Sequence, residues 1–332
     1  MSVKNETVLV VVSAGGHLTQ ALCATSTIDK IVLVSTVPIA NERIRKLYRI
    51  IDTQFNPLVH FINAILSMYI IIRERPRAVF STGGPLVLPF ALLCKVLPVK
   101  YVHLDTLSRV IELSNTVKFL KKYNLFDELY CQWEGIAAKN GIEYIGKSFD
   151  MSERGNEGIN QLPRAEVANI LVTTGTCEYP FTRLAEMLYS HPLYQHPNVR
   201  WTIQTRGNKL DVLPRNGEVV ELITRQEMEE LILNSHYVIS HCGVGSINLM
   251  LTYQKMATFV PRVAEFGEFS DDHQLQIANE ISGSRFQVVK PGEQLPALTF
   301  EELIAVDRIS DPVDITNYDL ANSIKEKLLG DA

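Results

Sequence analysis

Short runs of β-branched and apolar residues recur along the chain. Each is followed by a longer stretch with apolar residues spaced three and four apart, the helical interval. In the first half this pattern predicts strands at Val8–Val12, Ile31–Ser35, Ala78–Ser81, Lys100–Leu104 and Glu128–Gln132. Helices are predicted near His17–Ser26, Asn41–Ile50, Leu58–Arg75, Leu86–Leu97 and Leu107–Tyr123. The second half repeats the plan, with strands at Asn169–Thr173, Arg200–Gln204, Val219–Leu222, Tyr237–Ser240 and Ala257–Val260. Its helices are predicted at Pro180–Ser190, Gln226–Leu233, Ser246–Thr252, Asp272–Ile281 and Tyr318–Leu329. Strand–helix alternation of this kind builds parallel α/β sheets.

A polar stretch from Lys147 to Ala165, containing SERGNEGINQLPR, interrupts the pattern and reads as a linker. The expected division is residues 1–150, a linker over 151–165, a second domain over 166–312, and a C-terminal helix within 313–332 returning to the first domain. A chain of 332 residues exceeds what one hydrophobic core usually organises. The fold class expected is α/β, two Rossmann-like domains facing across a cleft, with ligands at the carboxyl ends of the strands.

One apolar run stands apart. Pro57–Ile72 (PLVHFINAILSMYIII) has no formal charge and is followed by Arg73, Arg75 and Arg77. It is shorter than the roughly 20 residues that span a bilayer. It is read either as a helix buried between sheet layers or as one lying in a membrane interface.

Charge adds an asymmetry that the net value of −5 hides. Residues 1–150 hold 17 Lys and Arg against 12 Asp and Glu, whereas the remainder holds 15 against 25. A basic first half suits an anionic surface. No basic run carries interleaved aromatics, so no nucleic-acid partner is expected. The cysteines Cys23, Cys94, Cys131, Cys177 and Cys242 form no close pair, which argues for a reducing compartment. Residues 1–6 lack the basic region of a secretory leader.

Six strand-end segments carry candidate chemistry. Ser13-Ala14-Gly15-Gly16-His17 opens a helix, whose free N–H groups attract anions. His17 there has the proton affinity of a general base. Ser81-Thr82-Gly83-Gly84-Pro85 is a second glycine turn on the same domain edge. Asp105-Thr106-Leu107-Ser108-Arg109 offers Asp105 as a base, as an orienter of His17 or as a helix cap, and Arg109 as a phosphate ligand. In the second half, Thr173-Thr174-Gly175-Thr176 suits a nucleotide-facing loop. His241-Cys242-Gly243-Val244-Gly245-Ser246 is a glycine turn before a helix and can cradle a diphosphate. Last, Val260-Pro261-Arg262 is followed by Gly267-Glu268 and by Asp271-Asp272-His273-Gln274, whose polar ends suit sugar hydroxyls. Arg262 is a candidate for a phosphate or for a donor carboxylate. His236 and His241 lack the partners a metal site needs.

SAGGH, STGGP and DTLSR, in that order, resemble the membrane-recruiting subunit of the eukaryotic UDP-GlcNAc transferase of lipid-linked oligosaccharide synthesis. VTTGT, HCGVGS and VPR…DDHQ resemble its catalytic subunit, here fused to the first. The order is also similar to bacterial two-gene exopolysaccharide transferases, some moving glucuronic acid and others galactose. More distantly it is similar to the UDP-GlcNAc transferase that makes lipid II. The resemblance spans residues 7–285. It implies a GT-B fold and an inverting glycosyltransferase with no metal or other cofactor.

By that resemblance the donor site comprises Thr174, Gly175, Thr176, His241, Gly243, Gly245, Ser246, Arg262, Asp272, His273 and Gln274. The acceptor site comprises Ser13, Gly15, Gly16, Gly83, Gly84 and Arg109, with His17 or Asp105 as catalytic base. Many relatives carry a ribose-binding Glu where Leu249 stands; Asn248 is the nearest polar residue. The expected partners are a UDP-sugar, glucuronic acid favoured, a polyprenyl-diphosphate-linked saccharide and an anionic membrane. The expected location is peripheral, on the inner face of the cell membrane, in exopolysaccharide synthesis. The alternatives are a UDP-sugar 2-epimerase on the same fold and a non-catalytic transferase partner.

Overall fold

A computed structural model describes residues 6–51, 57–152, 166–281, 286–305 and 312–330. Contacts divide the chain into two units, Met1–Asp150 with Thr316–Ala332, and Met151–Ile315. Most of the linker read from sequence, residues 153–165, lies outside the described residues.

The first unit runs β1 (Val8–Val12), α1 (Gly16–Ala24), β2 (Ile31–Ser35), β3 (Ile44–Arg49), α2 (Pro57–Glu74) and β4 (Ala78–Ser81). It continues with α3 (Leu88–Val96), β5 (Lys100–Leu104), α4 (Asn115–Tyr123), β6 (Glu128–Cys131), α5 (Glu134–Asn140) and β7 (Glu143–Tyr144). All seven strands are parallel, in the order β3-β2-β1-β4-β5-β6-β7. Every residue of β1 is buried, as both faces of a central parallel strand are covered. Val8, Val10, Phe80 and Val102 face α1 and a helix over Tyr318–Leu329, whose Leu320, Ile324 and Leu328 close that core. On the other face Leu9, Val11, Val79 and Tyr101 pack against Ile70 and Ile71 of α2 and Phe90 of α3.

The second unit runs β8 (Ala168–Thr173), α6 (Thr182–Tyr189), β9 (Val199–Gln204), β10 (Gly217–Val220), α7 (Arg225–Asn234) and β11 (Tyr237–His241). It ends with α8 (Val244–Thr252), β12 (Ala257–Val260), α9 (His273–Ala278), β13 (Phe286–Val288) and α10 (Phe300–Ile304). The Tyr318–Leu329 helix is α11. The second sheet is also parallel, ordered β10-β9-β8-β11-β12-β13.

Both sheets reverse direction once, between β1 and β4 and between β8 and β11. At such a switch point two neighbouring crossovers leave in opposite directions and open a crevice at the strands' carboxyl ends. Four of the six candidate segments lie at these two points.

Three sequence expectations need correction. Asn41–Ile50 is not helical: Ile44–Arg49 is an edge strand whose Arg45, Lys46 and Arg49 blunt the edge, and the spacing of Ile44 and Leu47 imitated a helix. The predicted Leu107–Tyr123 helix begins only at Asn115, because residues 105–114 form a loop that Asp105 pins and Ser114 caps the helix through the Val117 N–H. Nor is Pro57–Ile72 buried all round. Helix α2 buries Ile70 and Ile71 but exposes Leu58, Phe61, Ile65, Met68, Tyr69 and Ile72. Strands β7 and β13 and helices α5 and α10 were too short to register as periodic runs.

Candidate functional site

At the first switch point His17 stands in the first turn of α1. Its Nδ1 lies 2.8 Å from the Thr82 carbonyl oxygen. A carbonyl only accepts, so Nδ1 carries a proton, and in the neutral ring Nε2 is then the basic nitrogen. The Thr82 hydroxyl donates in return to the His17 carbonyl, at 2.7 Å. The imidazole fills the space above Gly83, where an added Cβ would come within 2.7 Å of its Cε1. Gly83 has φ +123°, a conformation side chains rarely adopt. Ser13 Oγ occupies the corresponding space at Gly84. The turn is completed by Gly15, whose φ of 75° precedes Gly16, the first helical residue. Ser13, Gly15, Gly16, His17, Gly83 and Gly84 are therefore neighbours.

Beneath them lies a buried polar layer. Ser81 Oγ accepts from the Gly83 N–H at 3.0 Å, and Tyr101 Oη and His103 Nδ1 are 2.8 Å apart. Burial, with His17 adding to it, drives the His103 pKa down to about 3.

Asp105 does not present a free carboxylate. One oxygen accepts from the Thr106 N–H at 2.8 Å and the other from the Ser114 N–H at 3.1 Å. Burial raises its pKa and these donors pull it back. Both Asp105 oxygens thus hold the loop, and Asp105 does not cap α4. Arg109 is mostly buried and pairs with Glu112 at 3.7 Å. Sequence reasoning missed Gln20, which holds this loop to α1. Its amide donates to Thr106 Oγ1 at 3.1 Å and accepts from the Leu107 N–H at 2.7 Å, and Gln132 donates to it at 2.8 Å. A buried polar residue on the inner face of an apolar helix was the available signal.

The second switch point repeats the device with its parts exchanged. His241 ends β11 and leans over Gly175, at the tip of β8; a Cβ on Gly175, φ +81°, would meet its Cε1 at 2.4 Å. A Cβ added at Gly243 would come as close to the same ring, 2.4 Å from Nε2. Burial first, and Arg262 second, lower the His241 pKa to about 3, so the imidazole is neutral. Ser246 Oγ lies 3.4 Å from its Nδ1. The backbone of Gly243, Val244 and Gly245 opens α8, whose first-turn N–H groups suit an anion. Gln204 braces the neighbouring turn by donating to the Gly175 carbonyl at 3.0 Å. Thr174 is buried, while Thr176 is exposed and its carbonyl accepts from Arg206 Nε at 3.1 Å.

Arg262 overturns its expected role. It is fully buried, and Nη1 donates to the carbonyls of Tyr179 (3.0 Å), Pro180 (2.9 Å) and Glu268 (3.1 Å). Nη2 donates to the Thr174 carbonyl at 3.0 Å, and the guanidinium lies over the Phe181 ring at 4.4 Å. It knits the strand-end loops together from within. Gln274 also turns inward, its Oε1 accepting from the Arg262 N–H at 3.1 Å. Asp272 is exposed and accepts from the Ala264 N–H at 2.8 Å, and His273 pairs with Asp271 at 2.5 Å. Leu249 is partly exposed on α8, and Asn248 is buried. Among the described residues no group of three or more His, Cys, Asp or Glu side chains lies together as a metal site.

Residues 169–296 match the family model of the glycosyltransferase family 28 C-terminal domain. That stretch lies within the second unit. No curated protein matches the chain in sequence. Among solved structures, UDP-N-acetylglucosamine 2-epimerase from Rickettsia bellii aligns with TM-score 0.55 at 13% identity, covering 98% of this chain and 95% of that one. The UDP-GlcNAc 2-epimerase from Neisseria meningitidis, bound to UDP-GlcNAc, aligns with TM-score 0.55 at 10% identity over 98% and 100%. The glycosyltransferase of kitacinnamycin aligns with TM-score 0.51 at 13% identity over 98% and 94%. At these identities the likeness is one of fold, two Rossmann-like domains of the GT-B type.

Proposed function

We propose that the chain is an inverting, metal-independent glycosyltransferase that moves a sugar from a UDP-sugar to a saccharide carried on a polyprenyl diphosphate. The observation that carries this is His17, whose Nδ1 is held by the Thr82 carbonyl at the crevice of one Rossmann-like unit. The other unit matches a glycosyltransferase domain and presents a helix N-terminus at its own crevice. The donor diphosphate rests on the Gly243–Ser246 turn. His17 Nε2 takes the proton of the acceptor hydroxyl as that oxygen bonds to the anomeric carbon, and the bond from that carbon to the UDP oxygen breaks. UDP leaves with the electron pair, its charge met by the α8 N–H groups. General-base catalysis of this kind contributes about 10²–10⁴-fold.

The exposed apolar face of α2 supports a lipid-linked acceptor and attachment to the inner face of the cell membrane. Arg73, Arg75, Lys118, Lys121 and Lys122 on the same unit are exposed. Each basic group near an anionic leaflet contributes about 1 kcal/mol. Among the described residues no helix is long and apolar enough to cross a membrane. Exopolysaccharide assembly is the process such an acceptor serves.

His17→Ala and Asp105→Asn separate the two candidate bases. The first is expected to lose about 10²-fold or more in turnover, far more than its small fall in melting temperature accounts for. The second is expected to lower the melting temperature and cost turnover only modestly. Full turnover in His17→Ala sinks the mechanism. Likeness in fold to 2-epimerases favours a second reading, that of an epimerase. Conversion of a free UDP-sugar to its 2-epimer, with no acceptor added, would establish it.

A further inference from the structure

Among the described residues four other than glycine hold a positive φ: Arg75 (44°), Asn124 (50°), Arg206 (44°) and Gln254 (48°). A side chain crowds its own backbone there, so such a residue persists only where its surroundings fix it. Arg75, Asn124 and Gln254 lie just past the ends of α2, α4 and α8, where a left-handed residue closes a helix. Arg206 closes no helix. It follows β9 and precedes Gly207, itself at φ 82°. The turn is held from both sides. The Arg206 N–H donates to the Glu221 carbonyl at 3.1 Å and the Gly207 N–H to the Glu221 carboxylate at 2.8 Å. Asn208 Oδ1 accepts from the Phe181 N–H at 2.6 Å.

The strained turn aims one guanidinium back over the tip of β8. Nε donates to the Thr176 carbonyl at 3.1 Å, and Nη2 meets the Glu178 carboxylate at 2.7 Å. Thr176 adjoins Gly175, which lies under the His241 ring at the crevice of this unit. Arg206 therefore stands on the β8 side of the crevice onto which the α8 N-terminus opens. Its tie to Glu178 is loose. The Glu178 side chain is 61% exposed and that of Arg206 28%. An ion pair this exposed is worth little and yields to a better anion. A phosphate is one, because it carries more charge and its oxygens match the guanidinium fork.

We propose that Arg206 grips the diphosphate of the nucleotide and releases Glu178 as it does so. This rests on the reading of the second unit as a UDP-sugar site. Without nucleotide, Glu178 holds the guanidinium in place; with nucleotide, phosphate takes over. Titration calorimetry of the full chain with UDP tests the exchange. No binding of UDP to the wild type removes the donor-site reading itself, and this proposal with it. Arg206→Gly deletes the guanidinium and relieves the backbone. Its UDP affinity should fall roughly tenfold, about 1.4 kcal/mol, with no loss of melting temperature. Glu178→Gln removes the competing carboxylate and should tighten UDP binding about two- to fivefold at low salt. Opposite signs in the two variants are not expected of residues that serve the fold alone. The rival cation is Arg183, whose Nη1 is buried without a partner. Phosphate held there leaves Arg206→Gly at wild-type UDP affinity, which overturns the proposal. Unchanged or weaker binding in Glu178→Gln, or a fall in melting temperature alongside affinity in Arg206→Gly, overturns it as well.

Discussion

His17 and His241 occupy the space that Gly83 and Gly175 leave, one pair in each unit. The glycines are needed twice over, for their positive φ and for the ring above them. Gly83→Ala should therefore cost about 1–3 kcal/mol of stability through backbone strain alone, with turnover falling further as His17 is displaced. Thermal melts and initial rates measure the two effects, and a variant with wild-type values in both would show the ring does not depend on the turn. His103 gives a second test, with a definite sign. Its folded pKa of about 3 lies below the unfolded value near 6.5. Between those values the unfolded chain binds a proton that the folded chain does not. The stabilisation is complete well above pH 6.5 and drains away as pH falls towards 3, by about 1.4 kcal/mol at pH 5.5. His103→Phe should lose less melting temperature than the wild type between pH 7.5 and 5.5; an equal loss would contradict the assignment. The motifs at these positions were legible because strand-end glycines announce themselves. The fates of Asp105 and Arg262 were not. Whether a charged side chain faces a ligand or its own backbone depends on loops brought together by the sheet, which no local spacing records.

At the scale of elements, β1 and β2 were read to the residue because a strand buried on both faces leaves a continuous apolar, largely β-branched run. Strand β3 was misread because an edge strand carries charge, and its two apolar residues fell at a helical interval. Helix α2 is the element whose pattern said least about its surroundings, since an apolar stretch looks the same whether one face or both are covered. Leu58, Phe61, Ile65, Met68 and Ile72 recur every three or four residues and form one exposed stripe. Phe61→Glu combined with Ile65→Glu should reduce sedimentation with vesicles containing anionic lipid by about tenfold or more, at an unchanged melting temperature. Retained sedimentation would remove α2 from the membrane contact. Asp or Glu at an exposed position is not expected to disturb the core formed by Ile70 and Ile71.

Across the whole molecule, the two-domain α/β plan was visible as a repeated alternation of strands and helices. The parallel order of each sheet was not, because strand order is fixed by crossovers rather than by the strands themselves. The units differ in one respect that matters for stability. The second is a continuous stretch, whereas the first is completed by Leu320, Ile324 and Leu328 of α11. Removing residues 316–332 should expose that face of the first sheet and cost about 2–5 kcal/mol for each large aliphatic side chain lost. The shortened chain should show early unfolding of the first unit and a preserved transition for the second, resolved by calorimetry. A single unchanged transition would mean that α11 is dispensable.

That arrangement has a consequence for synthesis. The strands of the first unit leave the ribosome before α11, part of their cover, which is encoded about 180 residues later, a delay of roughly ten to forty seconds at ordinary elongation rates. During that interval Val8, Val10, Phe80 and Val102 have only α1 over that face, while the second unit is made and completed without interruption. The nascent chain is therefore expected to depend on chaperones for the part made first, not for the part made last.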